Sequence, residues 1–149
     1  MKLAAHRLAV GLRAGWEARI ARRETTHERE QTHAVVHLAT FPMPEARGDF
    51  GQGVTELMRS PDVFVTLFEY GPESLGSPLF AHRGIPALTA DMFSSTKLQR
   101  VLPGQLGCQV FFTENDRPFC LYVVAGSRAH LPRIIVEVNA VLGGLEILI

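Results

Sequence analysis

Two runs rich in Val, Phe, Tyr and Leu, Gly107–Thr113 and Phe119–Ala125, flank the polar group Glu114-Asn115-Asp116-Arg117, with Pro118 just after it. No other feature limits the fold as much, because two strand-forming runs about so short a polar break close as a β-hairpin. Alternation along paired strands then sorts the side chains. Cys108, Val110, Phe112, Phe119, Leu121 and Val123 share a wholly apolar face; Gln109, Phe111, Thr113, Cys120, Tyr122 and Val124 share a mixed one. The pair reads as central strands with one face fully covered and the other partly covered. A turn centred on Asn115-Asp116 puts Cys108 opposite Val123 and Cys120 opposite Phe111. The two cysteines then lie on different faces and read as buried small hydrophobes, not a disulfide.

Helical spacing follows. Leu131, Ile134, Ile135, Val138, Leu142 and Leu145 recur at three- and four-residue intervals, a stripe suited to lying on the sheet. Pro132 fits near the first turn and Gly143-Gly144 near the end. Leu145–Ile149 is a helix tail or a short strand. Upstream, His33–Phe41 and Asp62–Tyr70 read as strands, the former ended by Pro42-Met43-Pro44. The stretch 71–107 is rich in Pro and Gly and reads as loop, with one short helix over Asp91–Arg100. Glu24–Thr32 is a polar connection. The whole chain, residues 1–149, is expected to form one α+β domain: an antiparallel sheet with a C-terminal helix packed on one face.

The N-terminus supports two periods at once. Met1, Ala5, Leu8, Leu12, Trp16 and Ile20 mark a helical stripe, while Leu8/Val10/Leu12 and Trp16/Ala18/Ile20 alternate as strands do. The segment Leu8–Ile20, with its Gly15-Trp16 pair, resembles the opening of Mog1/PsbP-like domains, in which a strand runs into a Gly-Trp pair and a second strand follows. The chain end, Val138–Ile147, is similar to the closing helix of that group. Ala14 stands where the group usually has a proline, and the Pro-Met-Pro and Gly-rich segments have no counterpart in it. The resemblance implies an antiparallel sheet with packed helices, strands at the N-terminus, and an accessory or binding role.

Charge excludes some functions. Lys+Arg and Asp+Glu are equal at 15 each, so no overall field draws the chain to nucleic acid or an anionic membrane. Neutrality favours self-association. No apolar run reaches the length of a membrane span, and His6, Arg7 and Arg13 interrupt the only stretch resembling a signal peptide. The chain therefore reads as cytoplasmic.

Motifs that carry chemistry each meet a structural explanation. Gly48-Asp49-Phe50-Gly51-Gln52-Gly53 reverses the dinucleotide fingerprint and follows Pro44 instead of closing a βαβ unit, so it reads as a turn needing positive φ. Its alternative is an anion cradle beside Arg47. His33 and His37 share a strand face near His27, but three or four ligands are needed for a metal. Ser60 and Ser127 lie outside any nucleophile elbow, His130 is close in sequence to Ser127, and Glu69 beside Tyr70 is an acid/base pair only by adjacency. The N-terminal basic excess, Lys2, Arg7, Arg13, Arg19, Arg22 and Arg23, suits contact with a membrane surface or nucleic acid, and a solvated sheet edge explains it equally well.

No catalytic residue, cofactor or metal is assigned on these grounds. The leading expectation is a non-enzymatic adaptor or chaperone-like module whose protein partner contacts Trp16, Arg47, Asp49, Phe50 and Tyr70. Phe64 and Phe68 are also aromatic candidates, but core packing accounts for them. The rival is a small-ligand binder or enzyme using a cleft between the half-covered sheet face and residues 71–107, anchored by Arg47, Arg100 or Gln105. Self-association through an exposed strand edge is a third reading.

Overall fold

The computed structural model describes residues 2–23 and 33–149. In chain order these form β1 (Lys2–Ala5), β2 (Leu8–Gly11), β3 (Glu17–Arg23), β4 (His33–Ala39), β5 (Val63–Glu69), β6 (Leu106–Glu114), β7 (Arg117–Ala125), α1 (Leu131–Gly143) and β8 (Leu145–Ile147). The strands make two antiparallel sheets, ordered β1-β2-β8 and β3-β4-β5-β7-β6. The class is α+β, as the alternating strands and the single amphipathic helix require. Glu24–Thr32, with His27, lies outside the described residues.

The hairpin forms in the expected register, with Cys108 facing Val123 and Phe111 facing Cys120. Asn115 and Asp116 take φ of 50° and 57°, the mirror-image turn that matches strand twist and that Asn and Asp tolerate. Both thiols are free and buried, and burial pushes each up to about 11.

The inner face of the larger sheet carries Val36, Leu38, Val63, Val65, Phe119, Leu121 and Val123. It packs against Leu131, Ile134 and Val138 of α1 and Leu8, Val10 and Ile147 of the smaller sheet. This is the main core. The outer face carries His33, Val35, His37 and Ala39 of β4 beside Phe64, Thr66 and Phe68 of β5, with Cys120, Tyr122 and Val124 of β7 next. Phe41, Met43, Val54 and Leu98, from the connections, cover part of it and form a second cluster.

Two open alternatives are resolved and two expectations change. The N-terminus forms three strands, β1, β2 and β3, and no helix. Residues after Gly144 form β8 and not a helix tail. β6 is an edge strand, not a central one. Its apolar character follows from coil laid along it: Gly107 exchanges both backbone bonds with Ser94 at 2.9 Å, and the Thr113 amide reaches the His82 carbonyl at 2.8 Å. The same coupling explains why Asp91–Arg100 is not a helix. With both backbone groups of Ser94 held by Gly107, the segment splits into separate 3₁₀ turns at Ala90–Met92 and Ser95–Lys97. The opposite edge, β3, exposes Arg19, Ala21 and Arg22, a charged border that discourages strand addition.

Candidate functional site

After β4 the chain leaves the sheet at Pro42-Met43-Pro44 and returns across its outer face before β5. The return is fixed by a buried histidine. His37, 6 % exposed, donates from Nε2 to the Asp49 carbonyl at 2.8 Å, and its Nδ1 accepts the Arg47 Nε–H at 2.8 Å. Thr66 Oγ1 donates to the same carbonyl at 2.7 Å. Arg47 also donates to the carbonyls of Pro44 and Glu45. Both ring nitrogens of His37 are satisfied only when the imidazole is neutral.

Burial accordingly pushes the His37 pKa down, partly offset by its bond to the Asp49 carbonyl, while the Arg47 charge lowers it further. A histidine depressed in the folded state contributes stability that is complete above its unfolded value, about 6.5. That contribution is lost as pH falls below this value through the folded one. Acidification from pH 7.5 to 5 is therefore expected to lower the protection factors, corrected for intrinsic exchange, of the Gly48, Gly51 and Val54 amides. His37→Gln should remove that pH dependence; a protection profile flat in the wild type would contradict the assignment.

The glycine segment is a folded turn whose Gly48, Phe50 and Gly51 amides are occupied. The Gly48 N–H bonds the Gln52 carbonyl at 2.8 Å, the Gly51 N–H bonds the Gly48 carbonyl at 3.1 Å, and the Phe50 N–H bonds Gln52 Oε1 at 3.2 Å. An anion at these three amides would have to displace those bonds, and the positive φ of Gly51 and Gly53 fits the turn explanation. Gly51, at φ 90°, sits where a Cβ would meet the Phe64 ring at 2.8 Å.

The turn seats Phe50 on the outer face. Its ring stacks on Phe68 with centroids 5.3 Å apart, and Phe68 meets Tyr70 at 5.0 Å. The row continues through Tyr70–Phe80 at 5.3 Å and Phe80–Phe111 at 5.6 Å. Beside this row is an open cleft of about 610 Å³ lined by Arg47, Gly48, Asp49, Phe50, Gln52, Phe68 and Tyr70. Burial pushes the Tyr70 phenol up, which keeps it a neutral donor. Four of the five residues singled out from sequence thus share one cleft. The fifth, Trp16, packs on the main core and borders a separate hollow of about 280 Å³ with Thr40, Arg59 and Glu137. Phe64 and Phe68 are core residues, at 0 % and 9 % exposure.

The chain matches no protein-family model, no curated protein and no solved structure. The site is therefore defined by its geometry alone.

The remaining candidates resolve as structural parts. Ser127 Oγ donates to the Ser60 carbonyl at 2.9 Å and accepts the His130 N–H at 3.3 Å. Its proton is thus directed away from the imidazole, although His130 Nδ1 lies 3.1 Å from that oxygen. Among the described residues, no group of three His, Cys, Asp or Glu could hold a metal, and no helix is long and apolar enough to cross a membrane. Of the rival's anchors, Arg47 lines the cleft, whereas Arg100 pairs with Glu56 at 2.7 Å and the buried Gln105 donates to the Thr55 carbonyl at 2.8 Å.

Glu69 is held by Arg117, a residue sequence reasoning passed over. Arg117 Nε and Nη2 grip the Glu69 carboxylate at 2.7 and 2.9 Å. Nη1 donates to the carbonyls of Arg7 and Leu148, and Nη2 also to that of His6. The guanidinium lies 5.4 Å over the Phe119 ring. It ties the smaller sheet to the end of the larger one. Its partners are distant in sequence, and no local spacing announces them.

Proposed function

We propose that this chain is a non-enzymatic binding module, and that a protein partner inserts an apolar side chain into the cleft beside Phe50 and Tyr70. The observation that carries the reading is the composition of that cleft: the half-buried rings of Phe50 and Tyr70, the latter a neutral phenol, with Arg47 on an otherwise closed sheet face. Tyr and Arg concentrate binding energy at interfaces, and a rigid aromatic floor loses little entropy on docking. Rigidity here comes from the His37–Asp49–Thr66 bonds that hold the turn. The resemblance of the chain ends to Mog1/PsbP-like domains, a group of accessory and binding proteins, favours the same reading. A cytoplasmic setting is part of the proposal.

Native mass spectrometry of the tagged protein, purified gently from its source, tests it. A stoichiometric second polypeptide is expected, and Phe50→Ala and Gln52→Arg should each release it while the thermal melt stays cooperative. A partner that survives both changes, or a small-molecule adduct in its place, would overturn the reading. The adduct would favour a ligand carrier, for which about 610 Å³ is also an adequate volume.

A further inference from the structure

At the end of the sandwich where Arg117 joins the two sheets lies a second cleft, of about 360 Å³. Its lining includes the Glu69–Arg117 pair, the turn His6-Arg7 of the smaller sheet, and Arg22 of β3 with His33 of β4. Tyr70 borders both this cleft and the aromatic one.

Among the described residues its lining carries more cations than anions: Arg7, Arg22 and Arg117 against Glu69 and Asp116. Lys2, Arg19, Arg59, Arg100, Arg117 and Arg133 each have a carboxylate partner. Arg7 and Arg22 have none among the described residues, yet they face one cleft. Arg117 already engages Glu69 in a two-bond grip, leaving Asp116 as the one unengaged acid of the lining.

The turn that carries Arg7 is also unusual. His6 and Arg7 take φ of 51° and 61°, the left-handed region that costs a side-chain-bearing residue about 1–2 kcal/mol. The chain's other two-residue hairpin meets the same requirement with Asn115-Asp116, residues suited to it. Arg117 offsets the strain by binding both turn carbonyls, so the backbone is held while the two side chains stay uncommitted. Strain of this kind, over-determined by its surroundings, marks sites where the side chains serve a ligand.

We infer that this cleft binds the phosphate group of a small phosphate-bearing ligand, with Arg7 and Arg22 as its charged anchors and His6 and His33 as imidazole N–H donors. Asp116 offsets one of the two guanidiniums, so the lining keeps one net positive charge for an anion, and planar N–H pairs suit phosphate oxygens. The volume suits a small ester and not a folded partner. The inference is independent of the protein-binding reading, which concerns the neighbouring aromatic cleft.

The test is amide NMR titration of the full chain with inorganic phosphate and with phenyl phosphate at constant ionic strength, sodium acetate serving as control. Saturable shifts at Arg7, Arg22, Tyr70 and Asp116 are expected for both phosphates and not for acetate. Arg7→Ala/Arg22→Ala should weaken binding at least about tenfold, the loss expected from one charge-assisted contact or more. Arg13→Ala/Arg128→Ala, which removes two exposed arginines that do not line the cleft, should not weaken it. If the turn change disturbs folding, Arg22→Gln alone carries the comparison. Linear, unsaturating shifts, or equal losses in both double variants, would overturn the site.

Discussion

Arg117→Ala is expected to lower the unfolding free energy by about 3–5 kcal/mol, the cost of removing one partner of a desolvated pair. The guanidinium is 11 % exposed and its carboxylate partner 19 %, so solvent replaces little of what is lost. All its N–H groups are engaged, two on Glu69 and the rest on the carbonyls of His6, Arg7 and Leu148. Truncation leaves an unpaired carboxylate and unsatisfied carbonyls, and removes the contact over Phe119. Arg117→Lys should recover little, since an ammonium has three donors and no planar fork. Urea unfolding with an unchanged slope is the measurement, and the melting temperature should fall by about 10 °C. A loss under about 1 kcal/mol, the range of exposed ion pairs, would mean that Arg117 does not join the sheets.

The second large effect is expected at Gly126. A Cβ there would stand 2.2 Å from the Arg59 carbonyl oxygen, 2.7 Å from that of Ser60 and 3.0 Å from that of Asp62. All three are backbone atoms, so no rotamer change relieves the contact. The segment before β5 would have to move, breaking the Gly126 N–H bond to the Asp62 carbonyl at 2.8 Å. Gly126→Ala should therefore cost about 3 kcal/mol or more, the upper range for overpacking. Gly143→Ala is the internal comparison. That helical glycine has nothing within 4 Å of its would-be Cβ, and the change should stabilise by about 0.4–1 kcal/mol through the unfolded chain. Equal effects at the two positions would show that close backbone approach does not select glycine at 126.

The parts of the fold that were legible in sequence are those governed by a local period. The Asn115-Asp116 turn fixed the hairpin register, and the stripe from Leu131 to Leu142 placed α1 between Pro132 and Gly143. Reading β6 as central failed because apolar content reports coverage, not strand pairing. Coil bonded through Ser94 and His82 covers an edge as a strand would. The candidate residues Arg47, Asp49, Phe50 and Tyr70 were visible as an arginine-glycine turn and an aromatic strand end. Their convergence was not, because it depends on where the Asp49 carbonyl lands, between His37 of β4 and Thr66 of β5. The second cleft was less legible still. Arg7 and Arg22 read as part of a solvated basic edge, and only the folded turn at His6-Arg7 brings both to the lining of one cleft.

The central claim is that the cleft beside Phe50 and Tyr70 receives a protein partner, and site-specific photocrosslinking tests it most directly. A benzophenone side chain at Gln52, on the exposed rim, is compared in the source cell with one at Val136, which is 69 % exposed on the outer side of α1. The account predicts one discrete higher-mass adduct from position 52, absent when Tyr70→Ala is added, and none from position 136. Adducts of equal yield from both positions, or from position 136 alone, would contradict it.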